Sequence, residues 1–236
     1  MQRNLTILLA GAALAIAGAA PAAAQLPDSI TSVVAIDSAQ PRIVPNEVVV
    51  VLAYLLDGYA DTPDGMGIIP TGMAEATLAT KYVRLAGRDS TDLSNMVRNM
   101  AHVLHAIDPS EVASGFGLGY GVKRAVEEML IQAEVVVAVE GLSDSVLSHL
   151  RHVPIAAYSA LAKADEAIAL ARRIERATTP GEALSQIEDL AALIRTMAWG
   201  SDSDRDGRIG YSDGEAGLAQ ATYHLKLLRA MEGIGR

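Results

Sequence analysis

The residues whose types and spacing most clearly carry chemistry run from Asp202 to Asp213, DSDRDGRIGYSD. Aspartates fall at positions 1, 3, 5 and 12 of this stretch, glycine at position 6 and Ile209 at position 8. That is the spacing of an EF-hand calcium loop. Alternate positions aim carboxylate oxygens at a common centre, Gly207 takes a sharp turn that a Cβ resists, and Arg208 follows with its backbone carbonyl. Position 9 is Gly210, so a ligand there has to be water. The expected calcium ligands are therefore Asp202, Asp204, Asp206, Arg208 and Asp213. Asp213 stands where glutamate is usual, and its shorter side chain reaches an ion less readily in the bidentate mode. Weak affinity follows, about 10⁻⁴ to 10⁻³ M. Glu215, two residues further on, is a candidate substitute outside the expected ligand set.

Histidines supply a second candidate. Four of the five come as i, i+3 pairs, His102 with His105 and His149 with His152. Two helices carrying such pairs could offer four nitrogen ligands to zinc, copper or iron, or ligate haem. The opposing reading comes from the helical wheel. His102 falls with Asn95, Arg98 and Asn99, opposite the stripe of Leu93, Val97, Met100 and Leu104, and His152 falls off the Val146, Leu150, Val153 face. This is the pattern of solvated or boundary imidazoles, and His224 reads as a boundary histidine too. No Glu-x-x-His occurs, which removes the di-iron bundle arrangement.

Other chemistries are excluded more simply. The chain has no cysteine, so disulfides, thiolate metal sites, covalent haem attachment and a thiol nucleophile are all out. There is no GxSxG and no HExxH, and an enzyme is not expected. Glycines at 115, 117, 119 and 121 superficially resemble a phosphate cradle, but no strand precedes them and no GK[ST] is present. A flexible turn entering the next helix is the better reading.

The elements that must position these residues read as helices throughout. Half the chain is apolar while aromatics make up 4%, a balance that favours packed helices over a sandwich. Residues 1–24 read as a signal peptide, with Arg3 before an apolar run and small residues up to Ala24, and residues 25–45 as an extended lead-in. Removing Arg3 takes the net charge from −9 to −10, unsuited to nucleic acid or an anionic membrane. No other stretch is a candidate membrane span.

Glu47 to Leu56 is apolar all round, ambiguous between buried helix and buried strand, and is assigned as helix to match the rest. A turn-rich segment over 57–72 follows, with Asp64-Gly65 before Ile68-Ile69 faintly echoing Asp206-Gly207 before Ile209. It is either a degenerate partner loop or an ordinary Pro/Gly turn. Helices are expected from Met73 to Gly87, from a cap at Asp89-Ser90-Thr91 to Ile107, and from Val122 to Val139. A further one runs from Ser143 to about Arg176, kinked at Pro154. Thr179-Pro180-Gly181-Glu182 is a capping box opening a helix to Trp199, and Glu215 to Glu232 leaves the calcium loop. The expected fold is all-α: a helical bundle of six to eight helices over 46–180, with an EF-hand-like helix-loop-helix over 181–236 packed on it.

The segments HVLHAIDP, GFGLGYGVKRA, SHLRH and DSDRDGRIGYSDGEAGLAQA together resemble a set of uncharacterised exported bacterial all-helical proteins. The resemblance covers most of the chain from about residue 60 onward. It implies that the histidine pairs and the glycine stretch belong to one pattern with the calcium loop. The resemblance also implies further histidines in the first two helices, where this chain has Val48 to Leu56 and Lys81, a departure that speaks against a shared metal site. The leading expectation is an exported calcium-binding protein with a structural or interaction role, the ion ordering the C-terminal hairpin. The alternative is a periplasmic transition-metal or haem protein using His102, His105, His149 and His152. A protein partner or a homo-oligomer is left open.

Overall fold

The structure is a computed structural model that describes residues 45–234; the expected signal peptide and all but the end of the lead-in lie outside that range. Seven α-helices and two short 3₁₀ turns make up the described chain, with no strand among the described residues. No helix there is long and apolar enough to cross a membrane.

Helix α1 (Asn46–Leu56) settles the ambiguity of the valine run. Val48, Val51, Leu52 and Leu55 are buried, an i, i+3, i+4, i+7 set that only helical periodicity places on one face. Burial has overridden the β preference of successive valines.

Helix α2 (Ile68–Ala86) starts five residues before its expected onset. Pro70 sits in its first turn, where a missing N–H removes nothing the helix needs, and Ile68 and Ile69 are fully buried. The segment before it closes on itself. Tyr59 N–H donates to the Met66 carbonyl at 3.0 Å, the Thr62 hydroxyl donates to the same carbonyl, and Asp64 takes a left-handed backbone (φ 56°). The isoleucines that suggested a second calcium loop are core residues of a helix, and the turn is an ordinary one.

Helix α3 (Leu93–Ile107) is capped by Asp92, which accepts from Asn95 N–H at 2.8 Å. Asp89, the expected cap, instead closes a preceding turn onto Thr91. The polar face of α3 points only partly to water: Arg98 is exposed, but its neighbours turn inward. Asn99 is buried and Asn95 Nδ2 donates to the Leu85 carbonyl at 2.9 Å, because α3 packs mainly on α2.

Helix α4 (Val122–Val137) follows the glycine-rich segment. α5 (Asp144–Glu175) is capped by Ser143 and runs its full 32 residues through Pro154 without a break. Ala156, Ala157, Ala160, Ala164, Ala167 and Ala171 are buried along it, and such small side chains let neighbouring backbones approach. α3, α4, α6 and α7 all pack on it. α6 (Pro180–Trp199) opens with Thr179 accepting from Glu182 N–H at 3.3 Å. Glu182 returns the bond one residue further out, accepting from Thr178 N–H at 3.1 Å. α7 (Leu218–Met231) begins three residues after the expected exit from the loop. Helices α6 and α7 each lean on α5 more than on one another.

The glycine-rich segment is held by an anion, and the anion is part of the chain. Glu75 on α2 is completely buried. Its Oε1 accepts from Tyr120 and Gly121 N–H at 3.0 Å each, and its Oε2 from Leu118 N–H at 3.1 Å. Three amides at the entrance to α4 are thereby satisfied without water. A Glu75→Gln variant replaces one acceptor oxygen with an NH₂ group that faces a donor. Urea denaturation is expected to find it destabilised by about 2–4 kcal/mol, and Glu75→Ala by more.

Candidate metal centre

The loop between α6 and α7 is shaped by its own aspartates. Asp202 Oδ2 accepts from Gly207 N–H at 3.0 Å, Asp204 Oδ1 from Asp206 N–H at 3.0 Å, and Asp206 Oδ1 from Arg208 N–H at 2.8 Å. These bonds pull the chain around the loop interior. Gly207 (φ 86°) takes the left-handed turn that allows the first of them.

Closure falls to Glu215. Its backbone carbonyl accepts from Ser201 N–H at 2.9 Å, and its own N–H donates to the Ser212 carbonyl at 3.0 Å. Its carboxylate is drawn into the loop, where Oε1 accepts from Ser203 and Asp204 N–H and Oε2 from Gly210 N–H at 2.7 Å. The side chain is 2% exposed. Gly210 N–H, followed by those of Ser203 and Asp204, favours the charged carboxylate and holds Glu215 below the usual glutamate range.

One carboxylate oxygen each from Asp202, Asp204 and Glu215 lies within 4.8 Å of the others, and among the described residues this is the only group of three or more His, Cys, Asp or Glu side chains so placed. Two oxygens bound to one calcium at 2.3–2.6 Å are at most about 5 Å apart, so the donor set fits a hard cation. Asp202 and Asp204 are where the spacing put them. Asp213 is not the third member. It is exposed, and with Gly214 it forms a left-handed pair (φ 51° and 73°) whose reversal brings Glu215 in instead. Asp206 also stands outside the triad, turned to Arg208 N–H. Residues 202–215 hold five carboxylates and two arginines, −5 + 2 = −3, a charge that repels itself unless a cation is present.

The rim of this loop is tied to α5 by two side chains that motif reading passes over. Ser159 Oγ is 2.9 Å from the Gly214 carbonyl and 2.7 Å from that of Ala216. Lys163 Nζ donates to Ser159 Oγ at 2.7 Å, to the Ala216 carbonyl at 2.9 Å and to the Gly214 carbonyl. Burial pushes the lysine ammonium down. On the other side, the start of α7 crosses the end of α6 so closely that a Cβ on Gly217 would lie 2.7 Å from the Met197 carbonyl oxygen. The spacing of Ser159 and Lys163, i and i+4 on one helix face, is the sole trace of this clamp in the sequence.

The histidines divide between two places. His102 packs against Tyr82 and Phe116, ring centroids 4.7 Å away in each case, and its Nδ1 accepts from Phe116 N–H at 3.2 Å. Burial lowers its pKa. His105 lies beside Gly115 and Gly117, its Nδ1 buried without a hydrogen-bond partner. The first pair thus lines the glycine-rich segment. His149 and His152 meet His224 instead. His149 Nδ1 is 2.8 Å from His224 Nδ1, and His152 stacks on His224 at 4.4 Å. The four paired histidines do not converge on one point. Burial first, then the neighbouring imidazoles, brings His224 down to about 4. Tyr211, at loop position 10, packs on His152 at 4.3 Å, and burial pushes its phenol up to about 12.

Comparison with protein-family models, with curated proteins and with solved structures gives no match for this chain.

The clamp on α5 generates a local prediction. In Lys163→Met the carbonyls of Gly214 and Ala216 lose their charged donor, and the amides of Gly210 and Glu215 are expected to exchange with solvent at least tenfold faster. Amides in the middle of α2 and α5 should be unchanged. Native-state hydrogen exchange reads the difference.

Proposed function

We propose that this protein binds calcium through Asp202, Asp204 and Glu215, and that the ion acts as a structural clip joining α6 to α7. The observation that carries the reading is the approach of three carboxylates to within 4.8 Å on a loop whose backbone is already bent by the Asp202 and Gly207 bond. Calcium would neutralise the local negative charge and offset the repulsion that opposes loop closure. Asp206 and the Arg208 carbonyl would complete the shell from the loop's other side, with water at Gly210. The role is non-catalytic. Export across a membrane is part of the same proposal, and the affinity is that of extracellular modules, about 10⁻⁴ to 10⁻³ M. Such a site responds to the surroundings in which calcium is abundant.

Terbium offers a direct test, since Tyr211 lies within the loop. Tag-free protein lacking residues 1–24 is expected to give sensitised terbium emission that calcium displaces. For an affinity of about 1 mM, roughly 10 mM calcium should add about 1.4 kcal/mol of stability. Glu215→Gln should abolish both effects, while Asp213→Asn leaves the affinity within about twofold. Neither emission nor a calcium-dependent shift in melting, with the protein folded, would end the proposal.

A further inference from the structure

Where α5 meets the end of α7, the fold brings together imidazole and thioether groups that no sequence motif joins. His149 Nε2 lies 3.2 Å from Met231 Sδ, while its other nitrogen, Nδ1, lies 2.8 Å from His224 Nδ1. Ser145 Oγ is 3.8 Å from the same sulfur. Among the described residues no carboxylate forms an ion pair with His149, His152 or His224. The Nδ1 of His152, stacked on His224, is buried and has no hydrogen-bond partner.

Contact between two imidazole nitrogens fixes the proton arithmetic. Only one of the two Nδ1 atoms can carry hydrogen and donate, and the other must accept. When His149 is the donor, its Nε2 is bare, and a nitrogen lone pair faces a thioether sulfur 3.2 Å away. In the opposite tautomer His149 Nε2 carries the hydrogen and donates it to the sulfur; in this one the two lone pairs repel until a cation takes the place of that hydrogen. At the nitrogen and sulfur distances known for zinc, about 2.0 Å and about 2.3 Å, donors 3.2 Å apart subtend roughly a right angle at an ion, an angle that leaves room for further ligands on the open side. The His149 Nδ1–H to His224 bond then does what the outer hydrogen bond of a metal-bound histidine usually does: it fixes the tautomer and the ring orientation.

We propose that His149 Nε2 and Met231 Sδ form a site for monovalent copper, with His224 as the hydrogen-bonding support of His149. The thioether selects the ion. Methionine sulfur is a soft donor that favours copper(I), and it is a poor ligand for calcium or magnesium. Met231 is 60% exposed at the last turn of α7, so the site opens to solvent on its sulfur side. Two protein donors and an open face suit an ion that is handed on. The site owes nothing to the calcium loop's carboxylates and stands or falls separately from them.

The test uses anaerobic titration of tag-free protein lacking residues 1–24 with copper(I), in competition with a chromogenic chelator, together with X-ray absorption of the loaded protein. One equivalent is expected to leave the chelator, with nitrogen and sulfur both in the coordination shell. Met231→Leu and His149→Gln should each weaken binding at least tenfold. His224→Ala should weaken it about tenfold through the lost support, and Asp204→Asn should leave it unchanged. Met231 is on the surface, so the metal-free Met231→Leu protein should melt with the parent, and this keeps the result readable should His149→Gln unfold. No withdrawal of copper from the chelator, a shell without sulfur, or binding that survives Met231→Leu overturns the proposal.

Discussion

Backbone amides taken out of water must find acceptors, and in this protein two glutamates meet that demand for the two longest irregular segments. Glu75 accepts three N–H bonds from residues 118–121, and Glu215 accepts three from residues 203–210. Both side chains are almost wholly buried. A buried carboxylate is tolerable only when its lone pairs are used, and a loop without regular structure is tolerable in the interior only when its donors are used. Each solves the other's problem. The helices could assemble from apolar periodicity alone, but the glycine-rich segment and the acidic loop keep their shapes because a carboxylate sits inside each.

This mutual need also separates the two loops chemically. Around Glu75 no second carboxylate converges, and its oxygens accept from three amides of its own chain. Around Glu215 two further carboxylates converge, leaving an excess of oxygen and of charge. The first is a closed arrangement, while the second still has coordinating capacity, which is why the functional reading rests there.

Legibility in the sequence followed distance along the chain. The helices were readable because their signals repeat every three or four residues. The placing of Asp202 and Asp204 was readable because both lie on one turn of backbone. What was missed depended on longer separations or on a competing local signal. Pro70 and Gly72 hid the first turn of α2, although proline in that position leaves the helix intact. Glu215, named only as a substitute, rather than Asp213 lies beside Asp202 and Asp204, because successive left-handed residues reverse the chain, a conformation that Asp-Gly permits but does not announce. Glu75 is more than forty residues from the amides it holds, and His149 is 75 residues from His224 and 82 from Met231. No periodicity encodes such meetings. They are products of how α5 packs on α2's neighbours and on α7. The i, i+3 histidine spacing was real, but each pair found its partners outside the other.

The unbroken course of α5 has a mechanical meaning. One helix carries His149 near its beginning and Lys163 about four turns later, so it spans from the imidazole cluster to the rim of the acidic loop as a rod about 21 Å long between those residues. A rod transmits position but not local rearrangement. Pro154, which lies between His149 and Lys163, leaves one turn of that rod without its own hydrogen bond. The covalent route is the chain from the loop into α7, and Tyr211 is the loop residue that touches the imidazoles directly. The two regions are thus held to one another through the packing of α7 on α5 as well as through this aromatic contact, and a change at one meets the other through helices both share.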